Sequence, residues 1–240
     1  MIHQEIGIFY GVGVGPGDPE LITRKAERIL RAVDWIFLPS GRRSGNSFVR
    51  RIVEPLGLPE GKFRPVFLCM SRDRTDDSNT YSRAASEIIE ELRRGKSVAW
   101  ITEGDPLFYS TFFHVNEALG RYPEVRVEIV PGVTSASAAA ARVGFPVARL
   151  DERVAVVPAA YGIQHLPALL DEFATVFLLK VHAVFDELLT VLASVQRPVR
   201  TAYLEQVGTP AERVVTDLES LRGQELPYFS LVILRREEQQ

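Results

Sequence analysis

The sequence predicts a two-domain α/β protein with a mainly parallel N-terminal sheet and a mixed C-terminal sheet, each with flanking helices. Short apolar runs alternate with helix-period segments along most of the 240 residues, which is typical of parallel strands joined by helices. Glycine is unevenly distributed, because 14 of the 17 glycines precede residue 151 and five lie within the first 17 residues. We place the domain boundary at the turn near 131–134, which gives domains 1–131 and 132–240.

The first half of the chain alternates strands with helices. A buried strand at 6–14 ends in a glycine-proline turn, and apolar residues then recur at helical spacing over 21–30. Further strands are predicted at 35–38, 98–101 and 125–130, and an alanine-rich helix from Thr134. Asn79 or Thr80 is predicted to cap a helix whose apolar stripe runs over 81–92.

The second half has few glycines and longer loops, which predicts a second domain of mixed sheet. Strands are predicted at 154–157, 175–180, 199–205 and 228–234. A helix is predicted at 182–193, and residues 213–216 could add an edge strand.

The composition excludes several classes of protein. With 46% hydrophobic and 25% charged residues, the chain is ordinary for a soluble globular enzyme. Its net charge of −3 gives no indication of nucleic-acid binding, and no apolar run approaches the roughly 18 residues of a membrane span. The single cysteine, Cys69, and the lack of a signal-peptide pattern predict a cytoplasmic location. The four histidines lack metal-ligand spacing, so we expect no metal site.

Three glycine-bearing loops follow predicted strands. One, at 11–17, has glycine at every second position, but Pro16 and Asp18 stand where a dinucleotide-binding fingerprint requires glycine. The others lie at 103–111 and 131–135. Loops at the carboxyl ends of parallel strands commonly bind ligands, and glycine lets a ligand approach the backbone. We therefore predict that the three loops line one cleft.

Other polar patterns have competing interpretations. Asp105 could accept hydrogen bonds from a ligand or cap a nearby helix. Residues 95–97, Gly-Lys-Ser, lack the earlier glycine of a Walker loop, so we predict a hairpin-type connection there. Arginines after the second and third strands are either solvated or suited to a ligand with several carboxylates. These are Arg42, Arg43, Arg50, Arg72 and Arg74.

Together these loops resemble the tetrapyrrole methylases, which transfer a methyl group from S-adenosylmethionine to corrinoid or sirohaem precursors. The resemblance begins at 10–21 and covers essentially the whole chain. Segments 70–73, 104–112 and 227–231 are similar to the subgroup that methylates carbon 20 of precorrin-2 or cobalt-factor II in cobalamin biosynthesis. The resemblance implies the tetrapyrrole methylase fold, a cofactor held between the two domains, and a homodimer.

The resemblance also implies site residues by position. Those for S-adenosylmethionine are Pro16, Glu103, Gly104, Asp105, Phe108, Thr134, Ser135, Leu179, Val207 and Gly208. Those for the tetrapyrrole substrate are Arg42, Arg43 and Arg72. Glu103 departs from the family pattern, which usually has a small or apolar residue there, and Cys69 stands where proline is common.

The expected reaction needs little covalent chemistry from the protein, because the methyl group is already activated. After transfer the ring carbon loses a proton, and Tyr109, Lys180 and Glu205 are candidate helpers, with no indispensable base expected. The alternatives are another corrin-ring or uroporphyrinogen methyltransferase and, in a different class, a non-catalytic tetrapyrrole-binding module. The sequence leaves open whether the substrate is metal-free or carries cobalt.

Overall fold

Two compact units make up the chain. A computed structural model describes residues 5–41, 47–68 and 74–237, with the backbone alone described at 74–78. The units are Met1–Thr134 and Ser135–Gln240, and each contains one five-stranded sheet. The sheet of the first unit is parallel throughout and that of the second is mixed, so the predicted fold class is confirmed.

The first unit is built on strands in the order β3-β2-β4-β1-β5. The strands are β1 (Ile8–Gly13), β2 (Trp35–Gly41), β3 (Phe63–Leu68), β4 (Val98–Thr102) and β5 (Arg126–Val130). The helices are α1 (Arg24–Ala32), α2 (Phe48–Val53), α3 (Arg74–Arg93) and α4 (Phe112–Leu119), with short 3-10 turns at Pro19–Leu21, Glu54–Leu56 and Glu60–Lys62. Every residue of β4 is buried, as expected for a central parallel strand covered on both faces.

The helix starts follow local capping chemistry where a capping residue is present. Thr23 precedes α1, and its hydroxyl accepts a hydrogen bond from the Ala26 N–H at 3.1 Å, which satisfies one otherwise unpaired donor of the first turn. The predicted cap of α3 is wrong. This helix begins at Arg74, so Asn79 and Thr80 lie inside it.

The other end of α3 corrects a second prediction. Gly95 has φ of +74°, and its N–H donates to the Leu92 carbonyl at 2.9 Å, while the Lys96 N–H donates to the Glu91 carbonyl at 3.1 Å. This pair of bonds is a Schellman cap, which glycine favours because it adopts the left-handed conformation without strain. Residues 95–97 therefore end a helix and lead into parallel strand β4, and the hairpin-type connection is wrong.

The second unit has strands in the order β6-β7-β10-β8-β9, in which only β6 and β7 pair in parallel. They are β6 (Val154–Pro158), β7 (Thr175–Leu179), β8 (Val199–Glu205), β9 (Arg213–Val215) and β10 (Ser230–Arg236). The helices are α5 (Ser135–Val143), α6 (Ala159–Gly162), α7 (Leu166–Glu172) and α8 (Phe185–Ala193), with 3-10 turns at Ile163–His165, Val181–Ala183 and Leu218–Leu221. The predicted edge strand is confirmed as β9.

Two kinds of feature are absent from the part of the chain that the structure describes. None of its helices is both long enough and apolar enough to cross a lipid bilayer. Its His, Cys, Asp and Glu side chains nowhere form a group of three or more that could hold a metal ion.

Candidate active site

Three adjacent strands of the first unit end side by side and carry the glycine-bearing loops. In the register of the sheet, Val12 of β1 pairs with both Ile101 of β4 and Val130 of β5. We name the segments that follow these strands the first loop (residues 14–18), the second loop (103–111) and the third loop (131–134). These loops lie beyond the carboxyl ends of the strands, which is where open α/β folds bind ligands.

The first and second loops are joined through their backbones. The Val14 N–H donates to the Thr102 carbonyl at 3.0 Å, and the Gly104 N–H donates to the Gly15 carbonyl at 2.8 Å. The Gly15 N–H donates back to the Gly104 carbonyl at 3.4 Å, which makes a small antiparallel bridge beyond the ends of the strands. The two loops therefore form one connected surface rather than two independent turns.

Asp105 ties the second loop to the third. One carboxylate oxygen accepts from the Leu107 N–H at 2.8 Å, and the other accepts from the Gly132 N–H at 3.0 Å. Helix α4 starts beyond Thr111, so Asp105 does not cap it. Instead the Ser110 hydroxyl accepts from the first N–H of that helix at 3.1 Å. The structure thus gives Asp105 a positioning role, in which both oxygens already hold backbone donors.

Two of the loop glycines are required by the packing of the protein against itself. A Cβ added to Gly132 would lie 2.1 Å from the Gly104 carbonyl oxygen, and one added to Gly13 would lie 2.5 Å from the same atom. Neither distance is tolerable for non-bonded atoms. The expectation that glycine admits a ligand is therefore wrong at Gly13 and Gly132, where backbone from a neighbouring loop fills the space. Gly11 is similar, because its Cβ would meet the ring of Phe112 at 2.4 Å.

Gly104 is different from these packed glycines. Its φ of +68° lies in the left-handed region that glycine adopts most easily. A Cβ there would find only the Thr134 Cα, at 4.0 Å. Gly104 is buried, but unlike Gly13 and Gly132 it would not bring an added Cβ into a clash, so its left-handed backbone is the feature that favours glycine there.

The remaining candidates of the first unit surround this position along the chain. Pro16 is buried, whereas Glu103 and Phe108 are half-buried. The ring of Phe108 packs edge-on against that of Tyr109 at 5.2 Å. Tyr109 itself has φ of +52° and is 46% exposed, which is a strained backbone for a residue with a side chain. Thr134 is half-buried at the end of the third loop.

The candidates of the second unit lie at the ends of β7 and β8, or begin α5 in the case of Ser135. Leu179 is the last residue of β7 and is buried. Val207 is also buried, and the next residue, Gly208, has φ of +79°. The Gly208 N–H donates to the Glu212 carboxylate at 2.8 Å, which fixes the turn after β8.

Glu205 ends β8 and is engaged by a neighbour on the same strand. It accepts a hydrogen bond from the hydroxyl of Tyr203, which is fully buried. Burial raises the pKa of Tyr203, and the adjacent Glu205 carboxylate raises it further. Tyr203 therefore remains a donor at neutral pH, and Glu205 stays available as an acceptor on its other lone pairs.

A cluster that the sequence reasoning did not assign lies at the same end of the second sheet. The ring of Tyr228 is 5.3 Å from that of His182, and the Lys180 ammonium nitrogen is 5.5 Å from the centre of the Tyr228 ring. Burial lowers the pKa of His182, and the positive charge of Lys180 lowers it further. Two sequence signals concerned this cluster, the candidate residue Lys180 and the segment 227–231 that contains Tyr228, but the sequence reasoning did not bring them together.

The arginines proposed to bind substrate are not placed by the structure. Arg42, Arg43 and Arg72 lie outside the described residues, and the side chain of Arg74 is not described. Arg50 is described, and it is paired within the first unit. Its guanidinium contacts the Glu60 carboxylate at 2.6 Å and lies 3.9 Å above the ring of Phe63.

Comparison with known proteins gives consistent matches along the chain. The family model for Tetrapyrrole (Corrin/Porphyrin) Methylases matches residues 9–222. Precorrin-2 C(20)-methyltransferase of a Sinorhizobium species is 32% identical over 239 residues, which cover 95% of each chain. Cobalt-precorrin-2 C(20)-methyltransferase of Salmonella typhimurium is 30% identical over 232 residues, which cover 96% of this chain and 97% of that one.

A solved structure adds a bound ligand to this comparison. Uroporphyrin-III C-methyltransferase of Thermus thermophilus, complexed with S-adenosylhomocysteine, is 25% identical, with a TM-score of 0.67 and coverage of 95% of this chain and 97% of that one. The family match spans most of the chain, and the two relatives extend over nearly all of it. The chain therefore belongs to the tetrapyrrole (corrin/porphyrin) methylases.

Proposed function

We propose that this protein transfers a methyl group from S-adenosylmethionine to carbon 20 of precorrin-2 or its cobalt-containing form, in cobalamin biosynthesis. The observation that carries this proposal is the end-to-end similarity, at 30% identity or more, to two relatives named for that reaction. The uroporphyrinogen-III C-methyltransferase of Cyanidium caldarium matches only 61% of this chain, at 33% identity, whereas the two carbon-20 relatives match 95–96%, which favours the carbon-20 reaction.

The loops of the first unit suit S-adenosylmethionine. A Cβ added to Gly104 would meet no atom closer than the Thr134 Cα at 4.0 Å, and Asp105 joins the second loop to the third. Pro16, Gly104 and Thr134 would hold the cofactor, and Asp105 would act through the loops it fixes. When bound, S-adenosylmethionine supplies a methyl group on a positively charged sulfur, ready for transfer to a nucleophilic carbon.

The contribution of the protein is then mainly positional. Holding two reactants in line can lower a barrier by roughly 7–11 kcal/mol, and loops fixed by backbone hydrogen bonds are suited to that task. The Glu205 carboxylate can accept a hydrogen bond from a further donor, because Tyr203 occupies only part of its hydrogen-bonding capacity. Tyr109 and Lys180 remain candidates for contact with the substrate, and we infer that no single residue is indispensable as a base.

The decisive experiment is incubation of the protein with S-adenosylmethionine and, separately, precorrin-2 and cobalt-precorrin-2. Mass spectrometry and NMR of the product should show one added methyl group at carbon 20. Methylation at another carbon would favour the alternative corrin-ring or uroporphyrinogen reaction. Normal binding of both ligands without turnover would favour the non-catalytic module.

The arginines give a separate test of substrate binding. We propose that Arg42, Arg43 and Arg72 pair with carboxylates of the tetrapyrrole, since guanidinium binds carboxylate in a bidentate manner. Arg42→Ala or Arg43→Ala should raise the KM for the tetrapyrrole without changing the affinity for S-adenosylmethionine. An unchanged KM in both variants would contradict this assignment.

Two further properties are proposed from the family membership and the composition. We infer that the protein works as a cytoplasmic homodimer. Light scattering of the purified protein at micromolar concentration should give twice the 26.8 kDa chain mass, and a monomer mass would overturn the dimer.

A further inference from the structure

The ends of β7 and β8 have an unusual backbone. Lys180 follows β7 with φ of +57°, and Gln206 follows β8 with φ of +48°. Both strands pair with β10, which lies between them. The Lys180 N–H donates to the Ser230 carbonyl at 3.0 Å, and the Gln206 N–H donates to the Phe229 carbonyl at 2.9 Å. Two consecutive carbonyls at the start of β10 thus hold two strained residues in place.

Glycine would adopt this conformation without strain, so a lysine at position 180 calls for an explanation. Residues held in such strained conformations cluster at ligand sites, where the surrounding structure fixes them. The first unit has glycine in this conformation at Gly15 and Gly104, whose φ values are +81° and +68°, although its Tyr109 keeps a side chain at +52°. The retained side chain at Lys180 therefore points to a use for its ammonium group.

The surroundings of Lys180 leave its charge uncompensated. Its ammonium nitrogen lies 5.5 Å from the centre of the Tyr228 ring, a cation–π contact. Within the described ranges no carboxylate lies at ion-pair distance from it. Glu205, which pairs with Ser230 in the register of the sheet, is engaged by Tyr203. Lys180 is partly buried, and an ammonium group without a counter-charge favours an anionic ligand.

His182 is the second neighbour of the Tyr228 ring, at a centroid distance of 5.3 Å. Its Nδ1 is buried, and no hydrogen-bond partner for it is found among the described residues. Burial lowers the pKa of His182, and the positive charge of Lys180 lowers it further. Both causes favour the neutral imidazole, so the Lys180 ammonium is the group of this cluster that suits an anionic ligand.

We propose that Lys180, positioned over Tyr228 and beside His182, binds a carboxylate of the tetrapyrrole substrate. This inference rests on the proposed function, because it takes the tetrapyrrole as the ligand. Lys180 is thus a substrate-binding residue rather than a proton acceptor, and Tyr228 is a positioning residue that acts through it. The segment 227–231 supplies both the Tyr228 ring and the two carbonyls that fix Lys180 and Gln206.

Two variants of Lys180 separate its charge from its backbone. Lys180→Met keeps a long apolar side chain and loses the ammonium, whereas Lys180→Gly loses the side chain and relieves the strained conformation, so it should fold at least as well as the parent. In both, the KM for precorrin-2 or cobalt-precorrin-2 should rise about tenfold, which is the lower range for losing a hydrogen bond to a charged group. The KM for S-adenosylmethionine and kcat should stay within about twofold. Lys180→Arg should recover most of the loss.

A matched control is Leu150→Gly. Leu150 also has positive φ, at +47°, but its side chain is fully exposed outside the cluster. The Leu150→Gly substitution relieves the same kind of backbone strain. It should leave the KM values for the tetrapyrrole and for S-adenosylmethionine unchanged. The KM of the parent for the tetrapyrrole should also rise with ionic strength more steeply than that of Lys180→Met, since salt screens the ammonium–carboxylate attraction.

The outcomes keep this inference distinct from the proposed function. An unchanged tetrapyrrole KM in Lys180→Met and Lys180→Gly, with a functional parent enzyme, overturns the carboxylate site alone. Equal rises in the KM for both substrates also overturn it, because they indicate a general disturbance. If the parent forms no product, the proposed function fails, and absorbance titration with precorrin-2 then compares binding to the parent and to Lys180→Gly. Equal binding in that titration would contradict the carboxylate site.

Discussion

The two units turn the chain at the ends of their strands in different ways. In the first unit, Gly15 and Gly104, which join the first and second loops, are left-handed glycines, although Tyr109 in the second loop has positive φ and keeps its side chain. The second and third loops pack so closely that Gly132 cannot bear a side chain. In the second unit, Lys180 and Gln206 adopt the same conformation with their side chains retained. The loop contact of the first unit is thus made by glycine backbone, whereas the residues that directly follow β7 and β8 in the second unit keep their side chains.

This difference follows from what surrounds each turn. The strands of the first unit are parallel neighbours, so their loops leave together and meet each other. The ends of β7 and β8 are separated by the antiparallel strand β10. The carbonyl of Ser230, its first residue, accepts from Lys180, and the carbonyl of the preceding residue, Phe229, accepts from Gln206. Backbone-lined surfaces suit a ligand common to a whole family, whereas side chains suit recognition of one substrate. We therefore propose that the cofactor contacts mainly the first unit and that part of the substrate selection lies in the second.

The largest effect is expected where loop backbones touch. Gly132→Ala would place a Cβ 2.1 Å from the Gly104 carbonyl oxygen, so the second and third loops must separate. We expect a loss of about 3 kcal/mol in the free energy of unfolding, the upper part of the usual range for overpacking, together with loss of S-adenosylmethionine binding. Urea unfolding and calorimetry measure the two effects. The control is Gly61→Ala, which has open space around its Cβ. Equal stability of the two variants would show that the close approach at Gly132 does not require glycine.

A smaller effect is expected from the carboxylate that joins the same loops. Asp105→Ala removes acceptors from the Leu107 and Gly132 N–H groups and should lower the free energy of unfolding by about 2 kcal/mol, the range for hydrogen bonds to a charged group. The affinity for S-adenosylmethionine should also fall, because the second and third loops are no longer joined. Asp105→Asn retains one acceptor oxygen, and it should lie between the alanine variant and the parent in both thermal unfolding and calorimetry. Full cofactor affinity in Asp105→Ala would show that the loops do not depend on this carboxylate.

A matched pair of glycines distinguishes ligand contact from backbone strain. Gly104 and Gly57 both have positive φ, +68° and +62°, and neither has a close atom that would clash with a Cβ. Alanine at either position should lower the free energy of unfolding by about 1 kcal/mol, because only the conformation is unfavourable. The affinity for S-adenosylmethionine, measured by calorimetry, should fall only in Gly104→Ala. Equal affinity in the two variants would remove Gly104 from the cofactor site.

Much of the fold was accessible from the sequence because parallel strands are apolar runs and helices show a 3.6-residue period. Strand β8, Val199–Glu205, was predicted with its exact limits. The start of α3 was missed because its first turns contain Thr, Asp, Ser and Asn, which favour caps and turns and show no apolar stripe. The cap at Gly95 was missed because a glycine turn has the same local sequence in a hairpin and after a helix.

The candidate site was less accessible, for reasons of distance along the chain. Spacing located the three loops, but it could not show that Gly13 and Gly132 face the Gly104 carbonyl, since that contact joins separate strands. Nor could it show that Asp105 reaches Gly132 rather than the nearby helix. The left-handed conformation of Lys180 gives no sequence signal, because lysine has no preference for it.

The smallest effect should appear as a gain in stability in the second unit. Replacing Lys180 or Gln206 by glycine relieves a left-handed conformation that costs roughly 1–2 kcal/mol in residues with a Cβ, but glycine gives back about 0.5–1 kcal/mol through the greater freedom of the unfolded chain. We therefore expect each variant to gain about 0.5 kcal/mol in the free energy of unfolding, measured by urea denaturation. The free energy of unfolding should therefore fall in Gly104→Ala and rise in Lys180→Gly, because the first substitution introduces a strained residue and the second removes one. A loss of stability in Lys180→Gly would show that the contact with Tyr228 outweighs the strain, and that the side chain is retained for the fold rather than for a ligand.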